Sequence, residues 1–191
     1  MNICVYGASS NLIDEIYLKK TEELGEAIAK RGHGLVFGGG AQGVMGASAR
    51  GAKKNGGYVI GVSPSFFNVD GVLFSECDEL IYTETMRERK QILEDRSDAF
   101  IVAPGGIGTF EEFFEVFTLK QLARHNKPIV IFNVNGFYDG MLKLLKEAEG
   151  HGFIRKKTLE LYEVMTEPEK IIGYIENYVP EKISIVETRG V

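Results

Sequence analysis

The stretch that decides the fold reads Asp98-Ala-Phe-Ile-Val-Ala103, Pro104-Gly-Gly-Ile-Gly-Thr109 and Phe110-Glu-Glu-Phe-Phe-Glu-Val-Phe-Thr-Leu119. The first part is apolar and strand-like, the second has three glycines in four residues, and the third is typical of a helix. A strand, a glycine turn and a helix in this order predict an anion site, because the first N–H groups of a helix are unpaired and its dipole favours negative charge. A tight connection without a ligand is the alternative at this point.

Apolar strand-like runs alternate with helical runs along the chain, for example at 2–6, 34–37 and 128–133. Runs that are continuously apolar indicate strands buried on both faces of a parallel sheet. The 191 residues therefore predict an α/β fold, a single-domain doubly wound parallel sheet of Rossmann-like type. We expect one nucleotide-binding domain over residues 1–180 and a flexible C-terminal tail over residues 181–191.

Three glycine or serine turns, at 7–10, 38–46 and 104–109, follow predicted strands. In a doubly wound fold these turns meet at the carboxyl edge of the sheet, where ligands bind. Ser9, Gly40 and Gly43 are therefore candidate ligand contacts in the first two turns.

The residues Gly38, Gly40 and Gly43 match the spacing of the dinucleotide fingerprint. The match is weak, because it follows the second strand and the next strand ends without the carboxylate that would hold a ribose. No Gly-Lys-Ser/Thr follows the glycines either, so a Walker A loop is excluded. A nucleoside monophosphate or a sugar phosphate fits these turns better than NAD.

Two charged residues stand on the apolar faces of predicted helices. Arg89 shares its face with Met86 and Leu93, and Glu112 heads a stripe that contains Val116. An inward arginine beside a phosphate-type turn indicates a ligand contact, although a structural ion pair is the alternative. Lys90 lies on the flank, where it is either a second phosphate contact or solvated.

The composition limits the classes of function. A formal net charge of −5 does not support a nucleic-acid or membrane-surface partner. The two cysteines, Cys4 and Cys77, suggest no disulfide framework, and the histidines have no metal spacing. We find no signal peptide and no membrane-spanning run, so we expect a cytoplasmic protein.

Two motifs together resemble a known family. Residues 104–112 fit Pro-Gly-Gly-x-Gly-Thr-x-x-Glu, and residues 86–90 fit most of Met-His-x-Arg-Lys. With Gly38-Gly-Gly-x-x-Gly-Val-Met-Gly46, the chain resembles the LONELY GUY family of cytokinin riboside 5′-monophosphate phosphoribohydrolases from about Asn2 to Tyr178. It departs from the family at Arg87, where histidine is usual.

The resemblance implies a homodimer that hydrolyses the N-glycosidic bond of a nucleoside 5′-monophosphate, a reaction for which we expect no metal and no redox cofactor. It assigns catalysis to Arg89 and Glu112, with the guanidinium holding the carboxylate ionised. The substrate-binding residues that we carry over or add from the three turns are Ser9, Gly40, Gly43, Met86, Lys90, Gly105, Gly106, Ile107, Gly108, Thr109, Phe110, Glu111 and Thr118.

Two alternatives stay open at this stage. One is an AMP nucleosidase, because base preference depends on an apolar wall that we expect from Phe66, Phe67 or Phe74 in the long irregular segment 63–78. The other is a carrier that binds a nucleotide or the molybdenum cofactor without turnover. A carrier does not require Arg89 and Glu112 together, so their joint presence favours the enzyme.

Overall fold

A computed structural model describes residues 1–69, 71–181 and 183–189 of the chain. Seven strands form one parallel sheet: Asn2–Tyr6 (β1), Gly34–Phe37 (β2), Val59–Pro64 (β3), Glu79–Thr83 (β4), Ala99–Val102 (β5), Ile129–Phe132 (β6) and Glu163–Met165 (β7). Their order across the sheet is β4-β3-β2-β1-β5-β6-β7, and every neighbouring pair is parallel. The predicted doubly wound α/β fold is confirmed.

The helices span Glu15–Lys30 (α1), Gly43–Lys54 (α2), Met86–Asp95 (α3), Ile107–Gln121 (α4), Asp139–Gly150 (α5), Lys156–Leu159 (α6), Pro168–Glu176 (α7) and Ile185–Arg189 (α8). Apolar residues of α1, α2 and α7 pack on one face of the sheet. Those of α3, α4 and α5 pack on the other face. Both faces are thus covered, which explains why the central strands are continuously apolar. In the part of the chain that the model describes, no helix is both long and apolar enough to cross a membrane.

The chain changes direction across the sheet between β1 and β5. Strands β2, β3 and β4 extend the sheet to one side of β1, whereas β6 and β7 extend it beyond β5. The turns that follow β1 and β5 are joined there by a hydrogen bond from the Ala8 amide to the Pro104 carbonyl (3.1 Å). This topological switch point is where doubly wound proteins bind their ligands.

The segment after β3 is more ordered than the sequence indicated. Ser65–Phe67 forms a short 3₁₀-helix, and the chain then folds back so that Leu73 forms a bridge with Gly40. Phe74 is buried and packs edge-on against Phe37 with ring centres 6.2 Å apart. The expectation that Phe74 contributes to an exposed wall is therefore wrong, because the fold-back places its ring in the core.

The end of the chain contains the short helix α8 within the predicted tail. Thr188 is buried, and its hydroxyl donates to the Gln121 carbonyl (3.0 Å) at the end of α4. Flexibility of residues 181–191 stays a prediction, with residues 182, 190 and 191 outside the described part of the chain.

Candidate active site

The glycine turn after β5 leads directly into α4 and leaves the first amides of that helix open. Gly106 is the N-cap residue, and the first turn contains no acidic side chain to offset the helix dipole. Gly106, Ile107 and Gly108 are exposed. The backbone N–H groups of Ile107 and Gly108 therefore face outward at the positive end of a 15-residue helix, which is the arrangement that binds a phosphate.

The N-terminus of α2, unlike that of α4, is hydrogen-bonded to other parts of the protein. Its first amide, on Gly43, donates to Asn11 Oδ1 (2.7 Å), and the Met45 amide donates to the Ala8 carbonyl (3.1 Å). Gly43 has a φ of +61°, and a Cβ atom there would overlap the Ala8 carbonyl oxygen. Gly43 thus supports the turn after β1 rather than facing a ligand, and α4 keeps the open helix end.

Arg89 on α3 and Glu112 on α4 form a buried ion pair near the carboxyl edge of the sheet. The Arg89 guanidinium donates from Nη1 to Glu112 Oε1 (2.9 Å) and from Nε to the Val62 carbonyl at the end of β3 (3.1 Å). A capping box between Thr85 and Glu88 fixes the first turn of α3 and so fixes the position of Arg89. Both partners are more than nine-tenths buried, so the predicted inward orientation of Arg89 is confirmed.

Burial dominates the electrostatics of Glu112. Desolvation raises the pKa of its carboxyl above the ordinary value, and the charge and hydrogen bond of Arg89 offset only part of that rise. Arg89 does lower the pKa of Glu112, as expected, but the expectation that it holds the pKa below the ordinary value is wrong, since burial is the larger influence. A carboxyl whose pKa is displaced toward neutrality is suited to act as a general base.

A cavity of about 600 Å³ opens beside this pair. Its polar lining comes from the turns after β1 and β5, including Ser9 and Thr109. Apolar side chains of Met45, Phe67, Val72, Leu73 and Met86 also line it, and we call these five residues the apolar wall. Open helix amides and apolar side chains in one cavity match the phosphate and the base of a nucleoside monophosphate.

The cavity brings together nine of the predicted site residues: Ser9, Gly40, Met86, Arg89, Gly106, Ile107, Gly108, Thr109 and Glu112. Gly105 is buried directly behind the turn, where a Cβ atom would overlap Thr109 Oγ1. Phe110 packs edge-on against Tyr138 with ring centres 6.2 Å apart. Gly105 and Phe110 therefore support the turn from behind, and neither lines the cavity.

Lys90, Glu111 and Thr118 lie outside the cavity. Lys90 pairs with Glu111 and with Glu115 (2.7 Å), on the flank between α3 and α4. Thr118 is exposed about two turns beyond Glu111 on α4, and it lines a surface depression with Phe114 and Phe153. Within a single chain these three residues do not line the cavity, and their substrate-binding roles remain predictions.

Sequence reasoning missed several residues of the cavity. Val72 and Leu73 form part of the apolar wall because the Ala41 amide binds the Val72 carbonyl (2.9 Å), which folds the long segment over the turn after β2. Ser63 stands near the carboxyl end of β3, and this position at the end of a predicted strand could have identified it as a cavity residue. For Val72 and Leu73 no local pattern exists, because a pairing across more than 30 residues places them.

Comparison with known proteins identifies the family. A family model described as possible lysine decarboxylase matches residues 45–175. A cytokinin riboside 5′-monophosphate phosphoribohydrolase from Mycobacterium tuberculosis is 44% identical over 83% of this chain and 84% of the relative. The chain belongs to the LONELY GUY family. Plant members of the family match over more of the chain: the Arabidopsis thaliana enzyme is 34% identical over 94% of this chain and 84% of the relative.

Solved structures share the fold of the family. A molybdenum cofactor carrier protein from Chlamydomonas reinhardtii superposes with a TM-score of 0.69 and 25% identity, covering 92% of this chain and 95% of the carrier. A molybdenum cofactor binding protein from Rippkaea orientalis has the same TM-score at 24% identity, covering 92% of this chain and 93% of the other. These likenesses confirm the Rossmann-like architecture of the chain.

Gly38 tests whether the position of Arg89 matters. A Cβ atom at residue 38 would lie 2.0 Å from Arg89 Nη2 and 2.9 Å from Met45 Sδ, so Gly38→Ala must displace the flexible guanidinium from its present position beside Glu112. We expect kcat/KM for nucleotide hydrolysis to fall by roughly 10- to 100-fold, because small misplacements of catalytic groups are costly. The thermal unfolding temperature should also fall, since the displaced guanidinium weakens the buried ion pair with Glu112.

The matched control for this variant is Gly140→Ala on α5, where an added Cβ atom meets no other atom within 4 Å. It should keep full activity. Equal activity of Gly38→Ala and the wild type would show that the Arg89 position is not critical.

Proposed function

We propose that this protein hydrolyses the N-glycosidic bond of a nucleoside 5′-monophosphate, with cytokinin riboside monophosphates as substrates, and releases the free base and ribose 5-phosphate. The observation that carries the proposal is the buried Arg89–Glu112 pair, with 2.9 Å between Nη1 and Oε1, beside the open N-terminus of α4. The names of the related enzymes from bacteria and plants support the same reaction.

The proposed binding mode pairs the two kinds of cavity lining with the two parts of the nucleotide. The 5′-phosphate lies on the turn at residues 106–109, where backbone N–H groups and the helix dipole stabilise its charge. The base lies against the apolar wall of Met45, Phe67, Val72, Leu73 and Met86. The ribose then lies between them, next to Glu112.

Glu112 carries the chemistry in this proposal. Cleavage of the C–N bond develops positive charge on the ribose, as in glycoside hydrolysis, and a fixed carboxylate stabilises that charge. Among the described residues, the hydrogen bond from Arg89 reaches only Oε1, so Oε2 is left to orient and deprotonate the attacking water. Arg89 holds the carboxylate in place.

A product assay tests the proposal. The purified protein is incubated separately with isopentenyladenosine monophosphate and with AMP, and the free base is followed by chromatography. We expect base release from at least one of them, and the ratio of the two kcat/KM values assigns the preferred base. Nucleotide that binds without any release of base would refute the hydrolase and favour a carrier.

The pH dependence of the reaction should report the displaced pKa of Glu112. Because the ionised carboxylate is the active form, kcat should rise with pH through a midpoint above the ordinary glutamate value of about 4.3. The measurement is kcat at saturating substrate, since the phosphate monoester itself titrates at about pH 6. A midpoint at or below the ordinary value would contradict a raised pKa.

We also propose that the protein acts as a homodimer through the exposed end of α4. Phe114 is 39% exposed and Phe153 is 85% exposed around the depression that contains Thr118. Exposed aromatic residues that cluster in this way are typical of protein interfaces. Thr118 faces away from the cavity of its own chain, so a partner chain is what would give it a contact with substrate.

Light scattering tests the dimer. The wild-type protein should have twice the mass of one chain, and Phe114→Glu should shift it to one chain mass because a charge would be buried in the interface. Tyr58→Glu is the matched control, because Tyr58 is also an exposed aromatic residue (53%) but lies at the start of β3. A wild-type monomer, or a Phe114→Glu dimer, would contradict this arrangement.

A further inference from the structure

A second cavity of about 400 Å³ lies at the opposite end of α4, between that helix, α6 and residues within 177–181 and 183–188; we call it the C-terminal cavity. Lys120, in the last turn of α4, lines it and is only 2% exposed. Its Nζ atom donates to the hydroxyl of Tyr178 (3.0 Å), which in turn donates to Asn126 Oδ1 (3.1 Å). Glu112 of the active site is eight residues away on the same helix, so the two cavities are separate.

Lys120 has no carboxylate partner within salt-bridge distance in the described ranges 1–69, 71–181 and 183–189. Its hydrogen-bond acceptor is a neutral phenol, although buried lysines are normally paired with a charge. Lys90 shows the opposite situation, with two carboxylates at its ammonium group. Burial lowers the pKa of Lys120 to about 8, so part of the population is an uncharged amine with a free lone pair at neutral pH.

The charged side chains that line the C-terminal cavity with Lys120 are exposed, whereas Lys120 is buried. Glu160, Glu163 and Glu181 are exposed and form the rim, with Lys157 bound to Glu160 (2.8 Å). Tyr174 and Tyr178 are phenols whose pKa values are raised by burial, so they are neutral. His125, near the end of α4, has a pKa lowered to about 4 by burial and is also neutral. The acidic rim disfavours entry of an anion.

We propose that Lys120 is a nucleophilic lysine that forms a reversible imine with a small uncharged aldehyde or ketone in the C-terminal cavity. The geometry supplies a desolvated amine, an adjacent hydroxyl and space for a small molecule. No step of the nucleotide reaction uses this amine.

The reaction balances without any further reagent. The Nζ lone pair attacks the carbonyl carbon, and the carbonyl oxygen takes up a proton to give a carbinolamine. Loss of the hydroxyl group as water, together with the remaining Nζ proton, forms the C=N bond. The Tyr178 hydroxyl lies 3.0 Å from Nζ; when it rotates from Asn126 Oδ1 it hands its proton to the departing hydroxyl and regains one from Nζ.

Competitive labelling of the whole protein tests this inference. A limiting amount of isotopic formaldehyde with a borane reductant methylates each amine in proportion to its reactivity, and peptide mass spectrometry quantifies every lysine. About a quarter of an amine with a pKa near 8 is uncharged at about pH 7.5, against about a thousandth of an ordinary lysine. We expect Lys120 to be labelled about five-fold faster or more than Lys143, whose side chain is 79% exposed.

The advantage of Lys120 should disappear at about pH 11, where all lysines are largely uncharged. If Lys120 is labelled no faster than Lys143 at about pH 7.5, the inference is overturned. Lys120→Met should remove the early label and leave nucleotide hydrolysis unchanged. The class of carbonyl compound is tested by replacing formaldehyde with acetaldehyde or glyoxylate: faster labelling by glyoxylate would overturn the preference for an uncharged ligand.

Discussion

Glu112→Gln should lower kcat by roughly 10²- to 10⁴-fold, which is the usual effect of removing a positioned base or a charge-stabilising group. Glutamine has nearly the same shape and keeps an oxygen that can accept the hydrogen bond from Arg89 Nη1, now 2.9 Å from Oε1. It has no negative charge and no basicity, so it can neither stabilise a positive ribose nor deprotonate water. The loss should therefore fall on kcat, whereas nucleotide binding should change by only a few fold.

The measurement combines the product assay with equilibrium binding of the nucleotide to the variant. The matched control is Glu115→Gln on the same helix, because Glu115 is partly exposed and pairs with Lys90 (2.7 Å) away from the cavity. That variant should keep wild-type kcat. If Glu112→Gln binds nucleotide and still turns over within ten-fold of the wild type, Glu112 is not the catalytic group.

The sequence predicted those parts of the site whose signals are local. The strand, turn and helix at residues 98–119 are contiguous, and their periodicity and glycines identify them directly. Arg89 on α3 could also be predicted as inward-facing, because helical spacing decides which face a residue occupies. What spacing does not give is the contact between Arg89 and Glu112, which depends on how two helices pack on one face of the sheet.

The parts that the sequence did not predict depend on pairings between distant segments. The bridge between Gly40 and Leu73 decides that Leu73 forms the cavity wall while Phe74, one residue later, enters the core. Both are large apolar residues in the same irregular segment, so composition does not distinguish them. The balance between burial and Arg89 in setting the Glu112 pKa has the same origin, because desolvation depends on everything packed around the carboxyl.

Arg89→Met should have the second large effect, on stability as well as on activity. It removes the guanidinium that neutralises Glu112 and leaves the Val62 carbonyl, now bound at 3.1 Å, without its donor. Breaking a buried ion pair by removing one partner typically costs about 3–5 kcal/mol, because the remaining charge is uncompensated. We also expect kcat/KM to fall by roughly 10²-fold or more, since Glu112 loses the group that holds it in place.

The stability loss of Arg89→Met should depend on pH in a defined direction. Burial already raises the Glu112 pKa, and loss of Arg89 raises it further, because the arginine charge and hydrogen bond are what lower it. A carboxyl with a raised pKa binds its proton more tightly in the folded protein, so stability falls as pH rises from the unfolded to the folded pKa. Urea unfolding at about pH 8 should therefore show a larger deficit than at about pH 5, where protonation of Glu112 relieves the uncompensated charge.

The double variant Arg89→Met/Glu112→Gln separates the charge from other consequences of the substitution. If the uncompensated carboxylate causes the deficit, the double variant should be more stable than Arg89→Met alone at about pH 8 and should have lost the pH dependence. Unfolding of both variants is measured without nucleotide, so the stability difference cannot arise from bound substrate. A double variant that is no more stable than Arg89→Met would show that lost packing and the bare Val62 carbonyl, rather than the buried charge of Glu112, cause the deficit.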